Sequence, residues 1–239
     1  VQEWLSAIDR SDNDLRCGVQ FPSDNCAHET LMKENKKPCQ YHNNCSGKHT
    51  GFLTLSKYLN GDQDYHCLEH PVQQEIKSCF EDLTNTSNAL SVMDGCSAPN
   101  FACTLNGLAQ SMAIISEATE ISSSSRTRAA YKLRHAMLEY PGLIAGDGRA
   151  CTELMLAMDK RAAIKTGAEA VFVAIIPELK LGIALKIEDG NMRASEAVIA
   201  ELLVRYNILD RKHPMAIKRL KGPIINWNGF KTGEYKICF

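Results

Sequence analysis

The chain has 239 residues, 44% of them hydrophobic and 23% charged, which is globular usage and excludes the low-hydrophobicity, high-charge signature of disorder. Lys+Arg 27 against Asp+Glu 28 leaves a net charge of -1, so there is no electrostatic footprint for nucleic acid or an acidic membrane. No stretch approaches the roughly 18 apolar residues of a membrane span, and no charged-then-apolar leader stands at the front.

In chain order, Trp4, Leu5 and Ile8 read as the tail end of an amphipathic helix. With Val1 at the head and no initiator Met, the expectation is a chain cut in mid-element and N-terminally incomplete. Residues 1–44 are a poorly readable N-terminal remnant, with polar runs, Pro22, Pro38 and a solvated patch at Lys33-Glu34-Asn35-Lys36-Lys37. From Gly47 the spacing of Phe52, Leu55 and Leu59 predicts a helix stopped by Asn60-Gly61. Pro71 opens a second helix with the stripe Val72, Ile76, Cys79, Phe80 and Leu83. Leu90 to Met93 reads as a short buried strand ending at Asp94-Gly95.

Helical spacing returns at Leu105, Leu108, Met112 and Ile115. Ser122 to Ser125 form a loop whose last serine is expected to cap a helix carrying Ala129, Leu133, Met137 and Tyr140 inward, halted by Pro141-Gly142. A short helix from Thr152 to Met158 precedes three consecutive strands, Ala162 to Thr166, Ala170 to Ile176 and Lys180 to Ile187. A long helix from Met192 to Tyr206 follows, then a basic stretch read as a solvated face. Ile224 to Trp227 and Glu234 to Ile237 predict a closing hairpin around Asn228-Gly229. The fold class is α+β, helices packed on an antiparallel sheet.

The 10 cysteines have no repeated spacing and no CxxC. In a chain of this length they read as reduced thiols of a cytoplasmic protein, mostly inert packing. Three clusters offer chemistry. Asn44-Cys45-Ser46-Gly47-Lys48-His49 puts a thiol, an amine and an imidazole at a helix start, where dipole and cations favour thiolate. Such a thiolate can attack a carbonyl or bind a soft metal; the plainer alternative is a capping Ser beside a buried Cys. Met93-Asp94-Gly95-Cys96-Ser97-Ala98-Pro99 follows an apolar strand, where ligand contacts are common. If Cys45 and Cys96 met, they would supply half a tetrahedral zinc site. Lys165, in Lys165-Thr166-Gly167-Ala168-Glu169, can serve as a base if desolvated or be an ordinary exposed lysine. His66 and His70 stand four apart, but Pro71 puts His70 before its helix, so they read as surface histidines and not a metal pair.

Taken in order, Asn44 to His49, His70-Pro71-Val72-Gln73-Gln74, Asp94 to Pro99, Gly146-Asp147-Gly148-Arg149, Lys165 to Glu169, Leu181 to Lys186, Asp189-Gly190 with Arg193-Ala194, and Asn226-Trp227-Asn228-Gly229 resemble the asparaginase II family. The resemblance runs from about position 15 nearly to the end. It implies hydrolysis of L-asparagine to aspartate and ammonia on a fold similar to serine β-lactamases and glutaminases. It makes residues 45–239 the catalytic region, a metal site plus a C-terminal sheet. Cys45, Lys48 and Cys96 would be zinc ligands, with His49 and Asp94 beside metal and substrate. Lys165 would take the proton of an attacking serine. The resemblance also allows a homodimer, and gives no role to nucleic acid or membrane. In the family the two nucleophilic serines and a second lysine precede the region where this chain starts, and no Ser-x-x-Lys occurs here. The family pattern therefore assigns no serine of this chain as nucleophile. Two rival readings stand beside it: a shortened, catalytically silent relative that keeps zinc or ligand binding, and a hydrolase using the Cys45 thiol.

Overall fold

In the computed structural model, which describes residues 1–238, ten α-helices and seven short antiparallel strands make an α+β protein. The chain divides into two units, Val1–Cys103 and Thr104–Phe239.

The first unit contains α1 (Gln2–Ala7), α2 (Asn25–Lys33), α3 (Ser46–Tyr58), α4 (Pro71–Thr84), β1 (Ser91–Met93) and β2 (Pro99–Phe101). Its core gathers Leu5, Leu15, Cys17, Leu53, Tyr65, Val72, Cys96 and Ala98. The expected entry to α4 is present: Pro71 takes the first position, where no N–H is needed. His70, expected at the surface, is instead 7% exposed. Its Nδ1 accepts the Val72 N–H at 3.1 Å, so the imidazole caps α4 and has that lone pair committed. The poorly readable segment 1–44 contains α2, because the Asp24 carboxylate accepts the Ala27 N–H at 2.7 Å and opens a helix with little apolar pattern.

Leu90 to Met93 is a strand, but not a buried one. β1 pairs β2 antiparallel with Val92 opposite Asn100, and Leu90, Val92 and Met93 are 78%, 68% and 64% exposed. A two-stranded ladder offers no further strand to cover it, so apolar content alone misplaces the segment.

The second unit opens with α5 (Leu105–Glu117), α6 (Ser125–Glu139), α7 (Gly142–Ala145) and α8 (Ala150–Ala157). The three expected strands follow as β3 (Ala163–Thr166), β4 (Val171–Ile176) and β5 (Leu181–Lys186), antiparallel in that order, then α9 (Met192–Arg205) and α10 (Pro214–Leu220). Phe172, Ala174 and Ile176 share one face of β4 and join Leu154, Met158, Ile199 and Leu203 in the core. On the other face Gly182, opposite Ile175, meets α5. A Cβ at Gly182 would stand 2.2 Å from the Ala109 carbonyl oxygen and the Ala113 nitrogen, so glycine sets how closely helix and sheet approach.

Four expectations for this unit are corrected. Ser124, not Ser125, caps α6, accepting the Thr127 N–H at 3.3 Å. The face of α6 is also different: Ala129 is exposed, as are Leu133 and Tyr140, while Met137 is half-buried. The buried residue of α6 is Arg134, whose guanidinium donates to the Ile115 and Ser116 carbonyls at 2.8 and 2.6 Å and closes the end of α5. The basic stretch is not all solvated, because α10 turns Arg219 inward to pair with Glu153 and, at 3.7 Å, with Glu196. The closing hairpin is β6 (Pro223–Ile225) and β7 (Lys231–Glu234), with its second strand earlier than expected. The Asn226 Oδ1 accepts the N–H groups of Asn228 and Phe230 at 3.0 and 2.9 Å and ends β6 early.

Candidate metal centre

Two short stretches of the first unit build the centre. Cys45 stands at the N-cap of α3. Buried Asn43 fixes it there, its Oδ1 accepting the Cys45 N–H at 2.8 Å while its Nδ2 donates to the Gly18 carbonyl at 2.7 Å. One turn on, Lys48 projects from the same helix end. The second stretch is the turn between β1 and β2. Asp94 N–H donates to the Ala98 carbonyl at 2.8 Å, Ser97 N–H to the Asp94 carbonyl at 2.9 Å, and Ser97 takes a left-handed φ of 67°. This turn presents Asp94 and Cys96 together.

The two stretches meet. One ligand atom from each of Cys45, Asp94 and Cys96 lies within 4.8 Å of the others. Lys48 Nζ donates to Cys96 Sγ at 3.1 Å and to Asp94 Oδ2 at 3.3 Å, and Cys96 Sγ lies 3.5 Å from Asp94 Oδ2. Burial acts to lower the Lys48 pKa, but the hydrogen bond to Cys96 and the charges of Cys45, Cys96 and Asp94 outweigh it and hold the ammonium above its ordinary value. Burial likewise acts to raise Asp94, yet the Gly95 N–H and Lys48 keep its carboxyl below the usual aspartate value. Burial pushes the Cys45 thiol up against the pull of Lys48. Cys17, in the same core, is pushed up to about 11 by burial.

His49 faces away from solvent. Its ring is fully buried between Phe52 and Tyr65, and Nδ1 lies 2.8 Å from the Tyr65 hydroxyl. That hydroxyl also accepts the Arg16 N–H at 2.7 Å, so Tyr65 ties His49 to the backbone at Arg16. Burial, with the Lys48 charge, lowers the His49 pKa to about 4 and keeps the ring neutral. The group sequence reasoning missed is Asn43 with Tyr65. A polar residue two positions before a helix-start cysteine was the available signal for Asn43; Tyr65 carried none.

Lys165 belongs to the second unit, exposed near the end of β3, with Nζ donating to the Thr166 carbonyl at 2.5 Å. Thr166 N–H in turn donates to buried Cys151 Sγ at 3.2 Å. Among the described residues no serine hydroxyl hydrogen-bonds Lys165.

The donor set fits a zinc-like ion. Two thiols suit a borderline-soft cation, and a tetrahedral ion with Zn–S near about 2.3 Å keeps its ligand atoms within roughly 4 Å of one another. The observed grouping within 4.8 Å requires only a small inward shift of side chains. A lysine ligand must be neutral, which the charge of a bound ion favours.

A comparison with curated proteins finds no match for the chain. The sequence profile of the L-asparaginase II family matches residues 1–237. Matched over almost its entire length, the chain belongs to the L-asparaginase II family.

Proposed function

We propose that the chain serves hydrolysis of L-asparagine to L-aspartate and ammonia, with zinc at Cys45, Lys48 and Cys96 and with Asp94 beside it. The observation that supports this reading most is the convergence of two thiols, an amine and a carboxylate from positions 45–48 and 94–96 in a chain of this family. Bound zinc supplies a fixed positive charge that can orient a carboxylate or polarise a carbonyl oxygen.

The chain's own residues have separable tasks. Asp94, already holding one ammonium, is suited to receive the α-ammonium of an amino-acid substrate. His49, next to Lys48 and held by Tyr65, is the residue we assign with Asp94 beside the metal and the substrate. Lys165 is the residue we assign to proton transfer from an attacking serine hydroxyl; its proton count closes when that proton passes to the departing ammonia. No serine of this chain is assigned as the nucleophile. All ten thiols are free, which fits a reducing, cytoplasmic setting.

Ammonia release from L-asparagine, compared with L-glutamine, tests the reading. Release that falls strongly in Lys165→Met supports it. If a chain extended by the family's serine-bearing segment binds zinc but yields no ammonia above the blank, the silent, ligand-binding relative is the better account. Activity that survives Lys165→Met and disappears in Cys45→Ser with zinc retained would favour the thiol nucleophile.

A further inference from the structure

Cys45 and Cys96 are both free, lie with their sulfurs within 4.8 Å, and come from segments held independently, one at a helix cap and one in a strand turn. They differ in access: Cys45 is partly exposed, whereas Cys96 is 4% exposed and packed in the core. The Lys48 ammonium donates to Cys96 Sγ at 3.1 Å and holds that sulfur in place beside Cys45. An accessible sulfur within reach of a second, buried sulfur is the arrangement in which a first oxidation is followed by a cross-link instead of further oxidation.

We propose that hydroperoxides join Cys45 and Cys96 in a reversible disulfide, and that this disulfide switches off metal binding at the centre. The consequence for metal rests on the zinc reading above; the disulfide itself does not. The Cys45 thiolate attacks the peroxide oxygen, the O–O bond breaks, and a sulfenic acid and hydroxide result. The Cys96 thiolate then attacks the Cys45 sulfur, forming the S–S bond and expelling the oxygen as a second hydroxide. Counted from two thiols, whose protons neutralise the hydroxides, one hydrogen peroxide is reduced to two waters as the thiol pair is oxidised. The product has no thiolate to offer a metal, and Lys48 keeps only Asp94 as its partner. A dithiol reductant reverses the step by exchange.

Chelator-treated protein exposed to hydrogen peroxide, alkylated and analysed by peptide mass spectrometry tests this. The expected result is a mass loss of two hydrogens, located in a cross-linked pair of peptides carrying Cys45 and Cys96, with zinc uptake lost and then restored by dithiothreitol. Cys45→Ser and Cys96→Ser should each abolish the cross-link and leave the remaining cysteine to gain two or three oxygens. A cross-link through Cys17 instead, or sulfinic acid at Cys45 with Cys96 still alkylatable, would overturn the proposal. If the cross-link forms but the reduced protein takes up no zinc, the metal reading fails while the disulfide stands. If zinc binds and no cross-link forms, the reverse holds.

Discussion

At the residue scale, the Cys45, Asp94 and Cys96 cluster depends on side chains that lie outside it. Asn43 spends both halves of its amide on backbone, so Asn43→Ala leaves the Cys45 N–H and the Gly18 carbonyl without their partner. The expected cost is about 1–3 kcal/mol of stability in urea unfolding, with zinc affinity lower by roughly 10–100-fold in a competitive chelator titration, as for other groups that orient ligands. An Asn43→Ala protein with wild-type zinc affinity would show that Cys45 needs no such anchor. Tyr65→Phe removes the hydroxyl shared by His49 and Arg16. Because both partners are then unsatisfied, a loss of about 2–3 kcal/mol is expected, and a change below measurement error would sink the assignment.

At the scale of elements, what was legible in the sequence was periodicity, and what was not was cover. The α3 and α4 helices, the three central strands and the Pro71 start could all be read because spacing and turn residues report local geometry directly. The fully buried line of α3 is nonetheless His49, Leu53 and Ser56, and not Phe52, Leu55 and Leu59. β1 was placed correctly and buried wrongly, since whether a layer covers a strand is settled by distant chain. The inward face of α6 was misread because Leu133 looks like core and Arg134 does not; only the bare carbonyls at the end of α5 explain the arginine. Arg134→Met should therefore destabilise by about 1–3 kcal/mol although it replaces a charge by an apolar side chain. The sharper test is Gly182→Ala. Its Cβ would press on α5 backbone at 2.2 Å, with no flexible side chain to yield. A loss of about 3 kcal/mol or more is expected, and an unchanged urea midpoint would mean that helix and sheet are farther apart than described.

For the molecule as a whole, the resemblance to a known family carried more than composition did. The near-zero net charge offered no electrostatic footprint and named no substrate, whereas the ordered motifs pointed to Cys45, Lys48, Asp94 and Cys96, which the structure gathers in one unit. Lys165 was equally visible as a motif, but its role depends on a nucleophile that no motif of this chain supplies. No helix among the described residues is long and apolar enough to cross a membrane. Ion-paired carboxylates of the second unit also bear on acid stability. Burial acts to raise Glu153, but Lys218 and Arg219 hold its carboxyl below the ordinary value; Arg211 does the same for Glu201, helped by Arg205. A carboxylate lowered on folding stabilises above its unfolded pKa of about 4.3 and loses that contribution as pH falls through the folded value. Stability should thus be level near neutrality and decline below about pH 4.3. Arg219→Met should move the acid-unfolding midpoint upward, and an unmoved midpoint would show that the buried pair does not set it.

The separation between the two halves of the candidate metal centre has a consequence for how the protein assembles it. Lys48 and Asp94 are 46 positions apart, and Lys48 and Cys96 are 48 apart. Closing a loop of that length costs about 3 kcal/mol of chain entropy before any contact inside it is gained. The side chains of α3 therefore wait for α4 and the β1–β2 turn to arrive, which makes the centre a late product of folding rather than its seed. Amide hydrogens of the turn, Ser97 above all, should exchange earlier than those of β4 because the same loop can reopen without dismantling the central sheet.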